Sequence, residues 1–453
     1  MSGHPLVPLR DLILESQNGL SKRSGADGLE TPVLRLANIT AGSIDESDAR
    51  EIRLTAKELA KYALQHGDLV CIRVNGSKAL VGRVIQFRAN RVWAYCDHFI
   101  RLRPNQSLVD HRYLAHYFNS QTVRRHIELN MVSSAGQNTV SQGTMLDIPV
   151  PCPGLETQRE IVAELEKQFS RLDEAVANLQ RVKANLKRYK ASVLKAAVEG
   201  RLVETEATLA RREGRTYETG EQLLQRILEE RRAKWAGKGK YQEPEVTSVF
   251  DLGELPHGWT WASAVQACEQ VVDCHNKTAP YTSTGIPLVR TTNIKDGRLL
   301  LDDTRYVDQP TYDFWSRRCP PEPGDVLFTR EAPMGEAGII PPGVKLCLGQ
   351  RTMLMRPSPA ISSSFLLSAL LSPVVKDLID RVAVGSGVKH LRVGDVERLP
   401  VPLPPVAEQT RIVAEVDRHL SIIREVEAEV DANLQRAQAL RQATLAKAFA
   451  GGM

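Results

Sequence analysis

No apolar run in this 453-residue sequence reaches the roughly 18 residues needed to cross a bilayer. The opening stretch, Met1–Leu12, lacks the charged-then-apolar plan of a secretory signal, so no membrane association is expected. Cysteine is sparse and scattered: Cys71, Cys96, Cys152, Cys268, Cys274, Cys319 and Cys347 never form a Cys-x-x-Cys pair. That usage argues against a zinc site and points to free thiols in a reducing cytoplasm. The sequence also has no Gly-x-Gly-x-x-Gly loop, no Gly-Lys-Ser/Thr phosphate loop and no Asn-Pro-Pro-aromatic run of an amino-methyltransferase. Cys274-His275 and Asp97-His98 stand without partners at ligand spacing and read as turn or core residues. Neither a catalytic centre nor a metal or cofactor is expected in the chain itself.

What is present is ordinary in bulk and unusual in arrangement. Hydrophobic residues make up 42% and charged residues 25%, the balance of a globular protein. Lys and Arg total 59 against 54 acidic residues, a net charge of +5 that is compatible with nucleic acid but far from diagnostic. The length exceeds what one core supports and suggests two to four units.

The sequence repeats itself. Ile148–Leu165, IPVPCPGLETQREIVAEL, aligns without a gap to Leu399–Val416, LPVPLPPVAEQTRIVAEV, at a shift of about 250 positions. Weaker echoes keep the same order upstream. Arg35 and Asn38-Ile39 recur as Arg290 and Asn293-Ile294, Gly67-Asp68 and Arg73 as Gly324-Asp325 and Arg330, and Arg103-Pro104 as Arg356-Pro357. The pattern is a tandem duplication of one unit, a globular domain followed by a helix.

Proline keeps each repeated entry extended, because the residue before a proline avoids helical geometry. Heptads come next. Leu165, Leu172, Leu179, Leu186 and Val193 recur every seventh residue, with Val162, Phe169 and Val176 between them. The second copy carries Val416, Ile423, Val430 and Ala437, with Val413 and Leu420 interleaved. This predicts two helices of about 45 residues, roughly 65 Å each, paired along a seam. Antiparallel pairing is the simpler route, since each domain precedes its own helix. The predicted layout is a domain over 1–147, entry and helix over 148–200, a charged, partly helical connector over 201–255, a second domain over 256–398, and entry and helix over 399–453.

This plan resembles the specificity subunits of type I restriction-modification systems. The marks are LPVPLPPVAEQ at Leu399–Gln409 with its partner at Ile148–Gln158, ELPHGW at Glu254–Trp259, the Gly-Asp runs at Gly67 and Gly324, and GVKHLRVGDVERLPVP at Gly387–Pro402. The resemblance implies mixed α/β target recognition domains, long antiparallel coiled-coil helices and pseudo-twofold symmetry. Each domain would read half of a split double-stranded DNA target, while two methyltransferase subunits and restriction subunits dock on the chain. S-adenosylmethionine, ATP and Mg are then expected in those partners. The alternative is a coiled-coil scaffold that binds proteins and has no DNA specificity.

Phosphate contacts supply affinity, while base edges read by Arg, Lys, Asn and Gln supply sequence choice. Candidates lie where strand-like runs end in polar loops. In the first domain they are Arg35, Asn38, Arg73, Asn75, Lys78, Arg83, Arg101, Gln137 and Asn138. In the second they are Arg290, Asn293, Lys295, Arg330, Lys389, His390 and Arg392. Residues shared by both copies can equally hold the fold. The unlike ones, Gln137-Asn138 against Lys389-His390, are the stronger candidates for specificity.

Overall fold

The computed structural model describes residues 4–40, 43–88, 91–237, 239–246 and 252–451; Lys238 and residues 247–251 of the charged connector lie outside them. The chain folds as two compact units, residues 1–181 with 430–453 and residues 182–429. The boundaries fall inside the two long helices, Leu155–Val198 and Val406–Phe449, so each helix starts in one unit and ends in the other.

Unit 1 is built on a four-stranded antiparallel sheet in the order Ile13–Asn18, Phe99–Pro104, Leu69–Ile72, Val84–Gln86. Leu69, Val70, Cys71 and Ile72 are all buried. Both faces of this strand are covered, which is why it reads as an unbroken apolar run rather than an alternating one. A second sheet pairs Leu29–Leu34 antiparallel with Arg50–Leu54 and parallel with Ala94–Tyr95.

Unit 2 repeats both sheets. Its order is Cys268–Asp273, Thr352–Pro357, Val326–Thr329, Ala337–Ile339, again antiparallel. Ile286–Val289 pairs antiparallel with Arg305–Val307 and parallel with Cys347–Leu348. The duplication seen in the sequence is thus a duplication of topology.

The Pro-rich entries are strands. Pro149–Pro151 pairs antiparallel with Leu6–Pro8, and Pro400–Leu403 with Thr260–Ser263. Proline is tolerated because each ladder has only two strands, so the missing N–H groups lie on an edge. Immediately afterwards a buried glutamine ties the helix to its domain. Gln158 Oε1 accepts from Asp110 N (2.8 Å) and its amide donates to the Pro153 and Leu108 carbonyls. Gln409 does the same with Ser362 N (3.0 Å) and the Pro404 and Ala360 carbonyls.

The long helices pair antiparallel inside each unit. In unit 1, Ile161, Val162, Leu165 and Phe169 share a core with Leu445, Ala448 and Phe449. Tyr113 and Tyr117 pack edge-on to Phe449 at 5.1 and 5.0 Å, and Arg441 lies over the Phe169 ring at 4.4 Å. In unit 2, Val193, Leu194 and Ala197 pack with Ile412 and Val416, and Tyr189 hydrogen-bonds His419 at 2.8 Å. Val416, Ile423, Val430 and Ala437 of the second helix are all buried. Heptad residues Leu172, Val176, Leu179 and Leu186 of the first helix are half-buried.

Helices Glu206–Glu213 and Gly220–Ala233 of the connector are integral to unit 2. Leu223 and Ile227 sit in its core, and Arg231 donates to the Val265 and Cys268 carbonyls. At the start of the second long helix, buried Glu408 accepts from Trp259 Nε1 (3.0 Å) and from the backbone of Glu206 (2.8 Å). Burial pushes its carboxyl above the ordinary range. Stability from a raised carboxyl is complete below the unfolded value and is lost as pH rises through the folded one.

Glu408→Ala strands two buried donors and is expected to cost about 2–4 kcal/mol, since each orphaned group costs on the order of 1–3. Glu408→Gln keeps one of the two acceptors and turns its NH2 on the other donor, so it should cost about half as much, and it should flatten the pH dependence of unit 2 unfolding followed by Trp259 fluorescence. Equal losses in both variants would rule out this account.

Candidate nucleic-acid interface

Arg35 and Arg290 each lead a short 3-10 turn, Leu36–Asn38 and Thr291–Asn293, that is closed in the same way. The Asn38 carbonyl oxygen accepts from Arg35 N (3.0 Å), and its amide donates to the Asp45 and Asp48 carbonyls (3.3 and 2.8 Å). Asn293 accepts from Arg290 N (3.1 Å) and donates to the Leu300 and Asp303 carbonyls (3.4 and 3.0 Å). Both asparagines are buried with their hydrogen-bonding capacity spent inside the fold. As base-contacting candidates they are therefore corrected to turn-holding residues.

The repeated Gly-Asp and Arg-Pro echoes turn out to be one feature. Arg103 Nε and Nη2 grip Asp68 at 2.8 and 2.8 Å, and Arg356 Nε and Nη2 grip Asp325 at 2.8 and 2.8 Å. Asp68 and Asp325 are each 2% exposed. The paired carboxylate raises both guanidinium pKa values further above their ordinary range.

Arg101 is also corrected. It lies in the middle strand of the unit 1 sheet with no exposed area, its guanidinium against Glu15 (2.5 Å) and donating to the Lys61 and Ala63 carbonyls. Arg330 is nearly as hidden, held by Asp273 (2.9 Å) and the Leu391 carbonyl (3.0 Å). Asn138 is buried as well and donates to the Asn75 and Gly76 carbonyls, so it pins a hairpin instead of facing a ligand.

The remaining candidates are accessible. In unit 1, Val132–Ser134 and Gln137–Thr139 form a hairpin through Ala135 and Gly136, whose φ values of 48° and 76° make a tight primed turn. Gln137 is exposed beside that turn, and Asn75 pairs with Asn138 across the sheet. Lys78 and Arg83 are exposed on the segment leaving Asn75, and half-buried Arg73 reaches the Asp97 carbonyl (3.5 Å). Arg35 is half-buried against Asp48.

In unit 2, Lys295 is exposed on the hairpin Ile294–Lys295 with Arg298–Leu299. Lys389 is exposed, and His390 bridges to Glu331 and Val384. Exposed Arg392 precedes the short helix Val393–Glu397, and its backbone is capped by Asp395.

A groove of about 340 Å³ lies in unit 2 where the parallel strands Ile286–Val289 and Cys347–Leu348 end. Arg290, Thr291, Glu331, Gln350 and Arg351 line it. Gly349 N donates to the Val289 carbonyl (2.7 Å), and the Arg351 carbonyl accepts from Arg330 N (2.8 Å). In unit 1, Cys96 N donates to the Leu34 carbonyl (3.0 Å), and the His98 carbonyl accepts from Arg73 N (2.7 Å). Cys96-Asp97-His98 and Gly349-Gln350-Arg351 are thus equivalent segments.

Sequence patterns alone pass over both segments. Counting back six residues from Arg103-Pro104 and from Arg356-Pro357 pairs Asp97 with Gln350, and that spacing is the one signal that could have found them. The apparent isolation of Asp97-His98 is corrected too, since ligand atoms of Cys96, Asp97 and His98 lie within 4.8 Å of one another. Arg23 already holds Asp97 (2.9 Å), and burial raises the Cys96 thiol pKa.

Two α/β units of one topology, each joined to a long helix through a Pro-rich strand, make this a duplicated α/β protein with paired long helices. The model of the type I restriction modification DNA specificity domain matches residues 12–187 and 276–435, most of the chain, which therefore belongs to that family.

The StySPI type I restriction enzyme specificity subunit of Salmonella potsdam is 35% identical over 192 residues, 42% of each chain. The EcoKI specificity subunit of Escherichia coli is 27% identical over 230 residues, 50% of this chain and 48% of that one. The matched region spans less than half the length of either relative. A chain solved in work on complex assembly and conformational transition of the type I R-M system shares the fold at a TM-score of 0.64 and 18% identity, covering 100% of this chain and 99% of that one. Among the described residues no helix is long and apolar enough to cross a membrane.

Proposed function

We propose that this chain selects the DNA target of a type I restriction-modification complex. One unit reads each half of a split site, and the paired helices set the unread spacer. Methylation and cleavage then belong to two methyltransferase subunits and to restriction subunits, which bring S-adenosylmethionine, ATP and Mg.

The observation that carries this reading is the contrast within the duplication. The Asn turns, the Arg–Asp grips and the Gln ties are identical in both units. The accessible polar residues differ: Gln137 and Lys78 in one, Lys295 and Lys389 in the other. A protein that reads two unlike half-sites needs a shared skeleton and unshared contact groups.

A gel-shift titration tests it. Binding to duplex DNA should weaken about a thousandfold or more between 50 and 200 mM salt, as counterions compete for the phosphates. Salt-insensitive or absent binding would favour the protein scaffold instead. Lys389→Ala should weaken recognition of one half-site alone, by about 1–3 kcal/mol if a base contact is lost. Equal weakening on specific and random duplex would make Lys389 a phosphate contact.

A further inference from the structure

We propose that the strand-end pairs, Gln350-Arg351 in unit 2 and Asp97-His98 in unit 1, are further groups that read bases. This rests on the DNA-reading function above and names the residues that perform it. The two segments occupy the same backbone position, each closing onto a parallel strand on one side and onto a repeated arginine on the other. The backbone bonds that hold them are duplicated, and their side chains are not. A position held rigid by common bonds but filled with unlike side chains is where two half-sites can be told apart.

The chemistry suits direct readout. A glutamine amide can donate and accept against an adenine edge, and a guanidinium fork fits guanine O6 and N7. A carboxylate accepts from cytosine N4. Gln350 and Arg351 are exposed, and Arg351 is tied through Nε to Glu331 at 3.1 Å. His98 keeps 41% of its side chain exposed, and Asp97 is oriented by Arg23.

Two features mark the unit 2 segment as more than a loop. Arg351 sits at φ 65°, a left-handed backbone that a non-glycine residue adopts only when its surroundings impose it. Gly349 is needed beside it, since an added Cβ would meet the Val289 carbonyl oxygen at 2.9 Å and Arg290 Cγ at 3.0 Å. The repeated Arg290 lines the same groove, and its buried Nε has no hydrogen-bond partner among the described residues. As a residue common to both copies, it fits a backbone contact better than a base contact.

The test uses the full chain with its partner subunits in a host free of other modification, reading methylated positions genome-wide. Arg351→Gly suits the left-handed backbone and removes only the side chain, and Gln350→Ala is its companion. Each should relax one base of one half-site, with discrimination there falling roughly tenfold to hundredfold and the other half unchanged. Asp97→Asn should relax a base in the other half. Arg351→Lys separates the two modes of contact: a base reader loses discrimination with lysine, whereas rescue by lysine would mark a phosphate contact and overturn the assignment.

An unchanged target in both Arg351→Gly and Gln350→Ala also overturns it. Replacing residues 256–398 with the matching segment of a relative is the control. If that exchange leaves the target unchanged, the DNA-reading function itself fails. If it changes one half while the point variants do nothing, only the strand-end assignment fails.

Discussion

Asp68→Asn is expected to destabilise unit 1 by about 3 kcal/mol, the low end of the cost of removing one member of a buried ion pair. The substitution keeps the side-chain shape and, with its oxygen at the Oδ2 position, the acceptor for Gln65 N; the charge opposite Arg103 is lost, and an NH2 replaces the oxygen that accepts from Arg103 Nε. Arg103 is left 18% exposed, with Glu15 at 3.5 Å as its nearest remaining carboxylate, which holds the cost at that low end. Asp325→Asn is expected to do the same in unit 2, where Glu322 stands 3.3 Å from Arg356. A single melting temperature is not defined for a chain of two units. Amide exchange in strands Leu69–Ile72 and Phe99–Pro104 measures the effect, with strands Val326–Thr329 and Thr352–Pro357 as the internal control. Undiminished protection in the mutated unit would show the pair to be dispensable.

The second large effect concerns the target itself. Removing seven residues from the middle of both long helices shortens each by about 10 Å at 1.5 Å per residue. A spacer set by these helices should then contract by about three base pairs, at 3.4 Å per pair along a strand. A deletion of four residues breaks the heptad register, and it should abolish recognition without yielding a new spacing. Methylated positions mapped for both deletions decide the matter. A heptad deletion that leaves the original spacer intact removes the helices from that role.

Much of this architecture was legible in the sequence because it is periodic or repeated. The heptads at Leu165–Val193 and Val416–Ala437 announced the helices. The doubled Pro-rich entries announced the duplication, and the extended reading of their prolines corresponds to two-stranded ladders. Burial was harder to read. Arg101, Arg330, Asn38, Asn138 and Asn293 look like contact groups in a linear sequence, because a polar residue near a strand end usually faces water. The partners of Arg101, Arg330 and Asn138 (Glu15, Asp273 and the Gly76 carbonyl) lie far along the chain and leave no local pattern. Asn38 and Asn293 instead spend their amides on carbonyls seven and ten residues on, inside the repeated turn itself. The Arg103–Asp68 grip was visible as two separate echoes but not as one bond. The strand-end pairs escaped because the residues there are dissimilar, and only their equal spacing from Arg103-Pro104 and Arg356-Pro357 hints at the equivalence that the backbone bonds show.

The glutamine ties carry one more consequence. Gln158 and Gln409 fasten each long helix to a unit within its first turn, and the Arg–Asp and Asn bonds of each unit all lie upstream of them. A genetic crossover placed beyond Gln158, inside the helix, would carry a whole recognition unit with every one of these bonds unbroken. On the proposed function, recombination between related genes can then bring new half-sites together, provided the incoming helix keeps the apolar residues that meet Leu445, Ala448 and Phe449.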